Sequence, residues 1–147
     1  MKRIFKSPLS IGVGKRKFIL NLNQYRNTHY RISNNAKIKY KEFMKSQITK
    51  YKKKLGQSLF IYTVYKGDRR NFDVGNVCAI HQKFFEDALV ELGMMDDDKY
   101  SIIPMVMFVY GGIDKDNPHV EIEVVEKNKS FRGYILKRFM GIIERLY

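Results

Sequence analysis

The sequence predicts an α/β chain of the α+β kind, with a small mixed, largely antiparallel sheet packed against helices. Two observations carry that expectation. β-Branched and aromatic runs stand at residues 18–23, 59–65, 103–110 and 120–125, each of strand length and bounded by turn-forming residues. Between and after them lie longer segments whose apolar residues recur at intervals of three and four, the spacing that gives a helix one buried face.

FILNLN, residues 18–23, alternates apolar and polar side chains and reads as a half-buried strand. QYRNTHYRISNN follows as a loop in which Tyr25, Arg26, His29, Tyr30 and Arg31 interleave rings with cations. That mixture suits stacking on bases and pairing with phosphates; the alternative is that Tyr25 and Tyr30 cover the edge of the core. Ser33 or Asn34 caps a helix to about Leu55 whose inward stripe is Tyr40, Phe43/Met44, Ile48, Tyr51 and Leu55. LFIYTVY, residues 59–65, is a buried strand ended by Lys66-Gly67-Asp68. Asp73 caps a second helix over residues 74–92, with Val77, Ile80, Phe84 and Ala88 inward and Gly93 as its stop. The strands at 103–110 and 120–125 are joined by the turn-rich GGIDKDNP, which predicts an antiparallel hairpin, and Pro104 places the start of the first at an edge or bulge. Phe131, Tyr134/Ile135, Phe139, Ile142/Ile143 and Leu146 mark an amphipathic helix over about 130–146, which either packs on the sheet or mediates dimerisation.

A chain of 147 residues with 44% hydrophobic content fits one domain, residues 1–147, with a core that needs no disulfide or metal staple. Cys78 is alone and sits in an apolar helical pattern, so a buried thiol in a reducing, cytoplasmic setting is expected. The basic start lacks the apolar core of a signal peptide, and no run approaches the ~18 apolar residues that span a bilayer. No membrane role is expected.

The net charge of +13 is unevenly spread. Residues 1–70 hold 19 Lys/Arg against Glu42 and Asp68, a balance of +17; residues 71–126 hold 12 carboxylates against Lys83, Lys99 and Lys115, a balance of −9; the remainder is +5. A basic half joined to an acidic middle implies a polyanion-binding surface with a separate chemical site, and nucleic acid is the natural partner. Lys37, Lys41 and Lys45 fall on one helical stripe at intervals of four. Like charges so placed repel, and either phosphate or solvent relieves them. Arg69 and Arg70 extend the basic surface toward the second helix.

The acidic middle holds the densest chemistry. Asn76, Lys83 and Asp87 share a helix face, Asp73 lies one turn earlier, and Asp96, Asp97 and Asp98 follow the helix stop. Such a concentration of negative charge is either solvated or neutralised by a cation. Hard carboxylate oxygens suit Mg²⁺ or Mn²⁺, which keep open positions for water and phosphate and serve phosphodiester cleavage, with Lys83 steadying the phosphate. For each acid a plainer role also exists: Asp73 as a helix cap, and the aspartate run as a solvated turn.

The same stretch resembles the RusA-like Holliday-junction endodeoxyribonucleases of phages and prophages. The matching residues are Asp73-Val-Gly-Asn76, then Lys83-Phe-Phe-Glu-Asp87-Ala-Leu-Val-Glu-Leu-Gly93, then Asp97-Asp98. Residues 21–45 and 111–124 also look like the phage branch, so the resemblance touches most of residues 18–125. It implies a homodimer that nicks paired strands of a four-way DNA junction with Mg²⁺. It further implies Asp73, Asp98 and Lys83 as catalytic residues, with Asp73, Asp97 and Asp98 as metal ligands. Better-known members carry Asp-x-Asp-Asn, and their second aspartate falls on Gly75 here. In another register, Asn71-Phe-Asp73 matches Asp-x-Asp. In either register one carboxylate is missing, and Asn76 or Asp87 is the candidate for the lost oxygen. Their lysine also follows the motif more closely than Lys83 does, by four residues, about one helical turn. A twofold dimer matches the symmetry of a four-way junction and places one site on each of two equivalent strands.

Overall fold

The computed structural model describes residues 2–146. Its central sheet has four strands in the order β1 (Lys2–Pro8), β6 (His119–Glu126), β4 (Ser58–Lys66) and β5 (Met105–Ile113). β1–β6 and β6–β4 are antiparallel, and β4–β5 is parallel. A small hairpin, β2 (Ser10–Val13) with β3 (Arg16–Ile19), precedes a short helix α1 (Leu22–Arg26). The longer helices are α2 (Tyr30–Thr49), α3 (Val74–Glu91) and α4 (Phe131–Leu146). The mixed α+β architecture expected from the two hydrophobic periods is present.

Strand alternation assigns the two sheet faces. Phe5, Phe60, Tyr62, Val64, Ile122 and Val124 point into the main core, where they meet Tyr40, Met44 and Ile48 of α2 and Ile80, Phe84 and Phe85 of α3. On the opposite face Leu59, Ile61 and Val109 pack with Phe131, Ile135 and Ile142 of α4. Burying each such aliphatic side chain contributes about 1.5–3 kcal/mol. Polar contacts fix α4 on that face. Glu123 accepts hydrogen bonds from Arg138 Nε at 2.9 Å and Nη2 at 2.6 Å on one oxygen, and from Tyr134 Oη at 2.6 Å on the other. The terminal helix therefore packs on the sheet.

Several expectations need correction. The predicted β5–β6 hairpin does not form, because β4 lies between the two strands and pairs with both. GGIDKDNP instead carries the chain across the end of β4, tied by Asp114 N–H to the Lys66 carbonyl at 2.7 Å. The close approach explains Gly111, whose added Cβ would lie 2.7 Å from Thr63 Cγ2 where the β4–β5 register shifts. The strand predicted at 18–23 ends at Ile19; Asn21 instead caps α1, its Oδ1 accepting from Gln24 N–H at 2.7 Å. Residues predicted as a loop form α1 and the first turns of α2. That helix is capped by His29, not by Ser33 or Asn34, and stops at Thr49 short of Leu55. The β5 start is an edge, as Pro104 implied.

Candidate nucleic-acid interface and acidic residues

α3 is the element around which every candidate residue is arranged. Asp73 caps it, with Oδ1 accepting from Asn76 N–H at 3.2 Å, and Gly93 at φ 73° ends it. Its 18 residues span about 27 Å. Asp73 and Asn76 therefore lie at one end, Asp87 near the other, and Asp97 and Asp98 in the turn beyond. Asp98 is close enough to Glu86 for its charge to oppose ionisation there. Lys83 occupies the middle.

Lysines already neutralise most of these acids. Asp87 Oδ2 is 2.7 Å from Lys37 Nζ, Glu91 is 2.6 Å from Lys41 and 3.7 Å from Lys37, Asp96 is 2.6 Å from Lys54, and Asp97 is 2.7 Å from Lys99. The Lys99 hydrogen bond and the Asp98 N–H, donating at 2.8 Å, hold the Asp97 carboxyl below its ordinary range. Burial alone would lower the Lys37 ammonium, but its hydrogen bond to Asp87 and the charges of Asp87 and Glu91 raise it. The repelling stripe on α2 is thus relieved at Lys37 and Lys41 by carboxylates of α3.

Among the described residues, no group of three or more His, Cys, Asp or Glu side chains is placed to hold a metal ion. Asp73 and the Asp97–Asp98 pair stand at opposite ends of a helix, and Asp87, a candidate for the missing oxygen, is held by Lys37. Asn76 is one turn from Asp73 and is the candidate that remains beside it. Gly75 supplies no ligand, although a Cβ there would lie only 3.3 Å from Asp73 Oδ1.

The basic and aromatic residues do converge. A cleft of about 480 Å³ runs between α1, the first turns of α2 and the middle of α3, and Tyr25, Arg26, Tyr30, Lys37 and Lys83 line it. Tyr25 half-buries its ring edge-on to Phe84, with centroids 6.1 Å apart, so its position is set by the core. Tyr30 is 69% exposed, with His29 at 4.6 Å on its ring and the Arg31 guanidinium 5.9 Å from its centroid. His29 and Thr28 also line a neighbouring cleft with Arg16 and Lys17 of the β2–β3 hairpin. Lys45 is exposed further along α2. Arg69 and Arg70 border a third depression beside Asp73, where Arg70 donates to Asp68 at 3.1 Å. Sequence reasoning missed Thr28 and Ser33 at the cleft between α1, α2 and α3. Ser33 looked like a helix start because its type suits a cap.

No protein-family model matches the chain, and no curated protein matches it. No helix among the described residues is long and apolar enough to cross a membrane.

Proposed function

We propose that the protein binds branched DNA as a homodimer and nicks it in a Mg²⁺-dependent reaction, as a RusA-like junction endonuclease does. The cleft that brings Lys83 together with Tyr25, Arg26 and Tyr30 supports the DNA-binding half and is the observation that carries it. Cations without carboxylate partners favour phosphate, and exposed rings beside them favour bases.

On this reading Asp73 and Asp98 act on one phosphate, and two chains supply them, Asp73 from the start of one α3 and Asp98 from beyond the end of the other. The edge strand β5 offers a route. It runs parallel to β4 from the Asp98 end of α3 to the Asp73 end, and it exposes Met105, Phe108, Tyr110 and Ile113. Phe72, next to Asp73, packs edge-on to Tyr110. Unpaired apolar edges are sites of strand-to-strand association. An antiparallel twofold pairing of β5 with its copy brings the Asp98 end of one chain toward the Asp73 end of the other. Asp73 and Asn76 of one chain with Asp97 and Asp98 of the other then form the oxygen-rich set that Mg²⁺ prefers.

A second reading is a branched-DNA-binding protein without catalysis, in the cytoplasm of the cell that makes it. Gly75 and the pairing of Asp87, Asp96 and Asp97 with lysines favour it. Incubating a synthetic four-way junction, a fork and a linear duplex with the protein, with and without Mg²⁺, separates the two. Nicks confined to the branched substrates and to Mg²⁺ support the nuclease; tight junction binding with no cleavage in Mg²⁺ or Mn²⁺ supports the binder.

A further inference from the structure

We infer that the α1–α2–α3 cleft holds a single unpaired nucleotide, with its phosphate on Arg26, Lys83 and the Ser33 hydroxyl and its base on the Tyr30 ring. This rests on the DNA-binding reading above and says which part of the DNA the cleft takes. Ser33 is the starting point. It lines the cleft, is 8% exposed, and its Oγ is buried without a hydrogen-bond partner among the described residues. A helical serine ordinarily returns its hydroxyl to the carbonyl one turn back, and an orphaned buried hydroxyl costs about as much as a lost hydrogen bond. Ser33 thus holds an unpartnered donor just beneath the surface of a basic cleft, which an arriving acceptor reaches by a small shift of the wall.

The surroundings match a phosphate rather than a carboxylate-bearing peptide or an apolar ligand. Arg26 and Lys83 form no salt bridge among the described residues, while Lys37 beside them is engaged by Asp87. The first turn of α2 adds partial positive charge. It has no acidic residue of its own. Tyr30 is braced by His29 and Arg31 and leaves most of its surface open. A concave site of about 480 Å³ has room for one nucleotide. Stacking on one exposed ring is worth about a tenfold change in affinity per base.

The test is fluorescence anisotropy in EDTA, so that cutting cannot intervene. The probes are a labelled 20-nucleotide strand, its blunt duplex, and a four-way junction, each with wild type, Tyr30→Ala and Ser33→Ala. The expected result is a loss of about tenfold for Tyr30→Ala and about fivefold for Ser33→Ala on the single strand, with duplex binding unchanged. 2-Aminopurine in the strand should be quenched by wild type and not by Tyr30→Ala. Thermal melts should show Ser33→Ala at least as stable as wild type, because the orphaned hydroxyl is removed. If the strand is bound but neither substitution weakens it, or both weaken strand and duplex equally, the nucleotide cleft is refuted and DNA binding stands. If adenosine 5′-monophosphate alone binds as tightly as the strand, the cleft serves a free nucleotide and the inference fails. If wild type binds none of the three DNAs, the DNA-binding reading falls and the cleft with it.

Discussion

Asp73 caps the first turn of α3, a helix of 18 residues about 27 Å long, and Asp98 follows its other end, near enough to Glu86 for their charges to interact. Lys83 lies between them and opens onto a cleft lined with rings and cations.

The Lys37–Asp87 pair makes a prediction about binding. Both side chains are about a quarter to a third exposed, at 30% and 27%, so the pair contributes no more than about 1 kcal/mol. Asp87→Asn should lower stability by less than about 1 kcal/mol. It should also loosen Lys37, which keeps only Glu91 at 3.7 Å, tightening junction binding and steepening its salt dependence by up to about one counterion. Binding isotherms across a salt series measure both effects.

The Arg138–Glu123 pair should behave differently because Glu123 is buried. Arg138→Ala strands that carboxylate between β6 and α4 with only Tyr134 as partner, and a loss of about 3 kcal/mol is expected. Urea unfolding measures it. A change under about 1 kcal/mol would mean that the pair is effectively solvated.

Two buried titrating groups act in opposite directions with pH. Burial raises the Glu86 carboxyl from 4.5 to about 7, helped by the charges of Asp98 and Asp87 and offset in part by the Tyr62 hydroxyl. Its stabilisation is complete below about pH 4.5 and is lost as pH rises through about 7. Burial lowers His81 from 6.5 to about 3, so its stabilisation is complete above 6.5 and is lost as pH falls toward 3. Between 4.5 and 6.5 the two slopes oppose each other. Glu86→Gln should therefore raise stability at pH 8 by on the order of 1–3 kcal/mol and give no such gain at pH 4.5. Melting temperatures across pH 3–9 follow the crossover.

The parts of the fold set by local signals were legible. Asp73 as a cap, Gly93 as a stop and the inward stripe of α3 all follow from residues close in sequence, as do the β-branched and aromatic run of β4 and the amphipathic α4. Non-local arrangements were not. β1 was invisible because its inward residues include Arg3 and Ser7, whose burial depends on Glu126 at 3.5 Å and on Tyr40 and His81, each at 2.6 Å. GGIDKDNP has the chemistry of a hairpin turn, and only the insertion of β4 prevents the pairing. At the site, Tyr25, Arg26, Tyr30 and Lys37 line one cleft with Lys83, whereas His29, Lys45, Arg69 and Arg70 lie outside it. The lysine stripe did not stay free, because Asp87 and Glu91 come from a helix that packs beside it only in three dimensions.

We propose that two copies of the chain build each cutting site, with Asp73 from one and Asp98 from the other. It is tested most directly by mixing Asp73→Asn with Asp98→Asn, allowing subunits to exchange, and measuring Mg²⁺-dependent nicking of a four-way junction. Each variant alone should be inactive. The mixture should recover about a quarter of the wild-type activity, because half of the dimers are mixed and each keeps one intact site. A mixture as inactive as its components, under conditions where wild type cuts and subunits exchange, would contradict the shared site; a wild-type protein that binds the junction and never nicks it would contradict the nuclease itself.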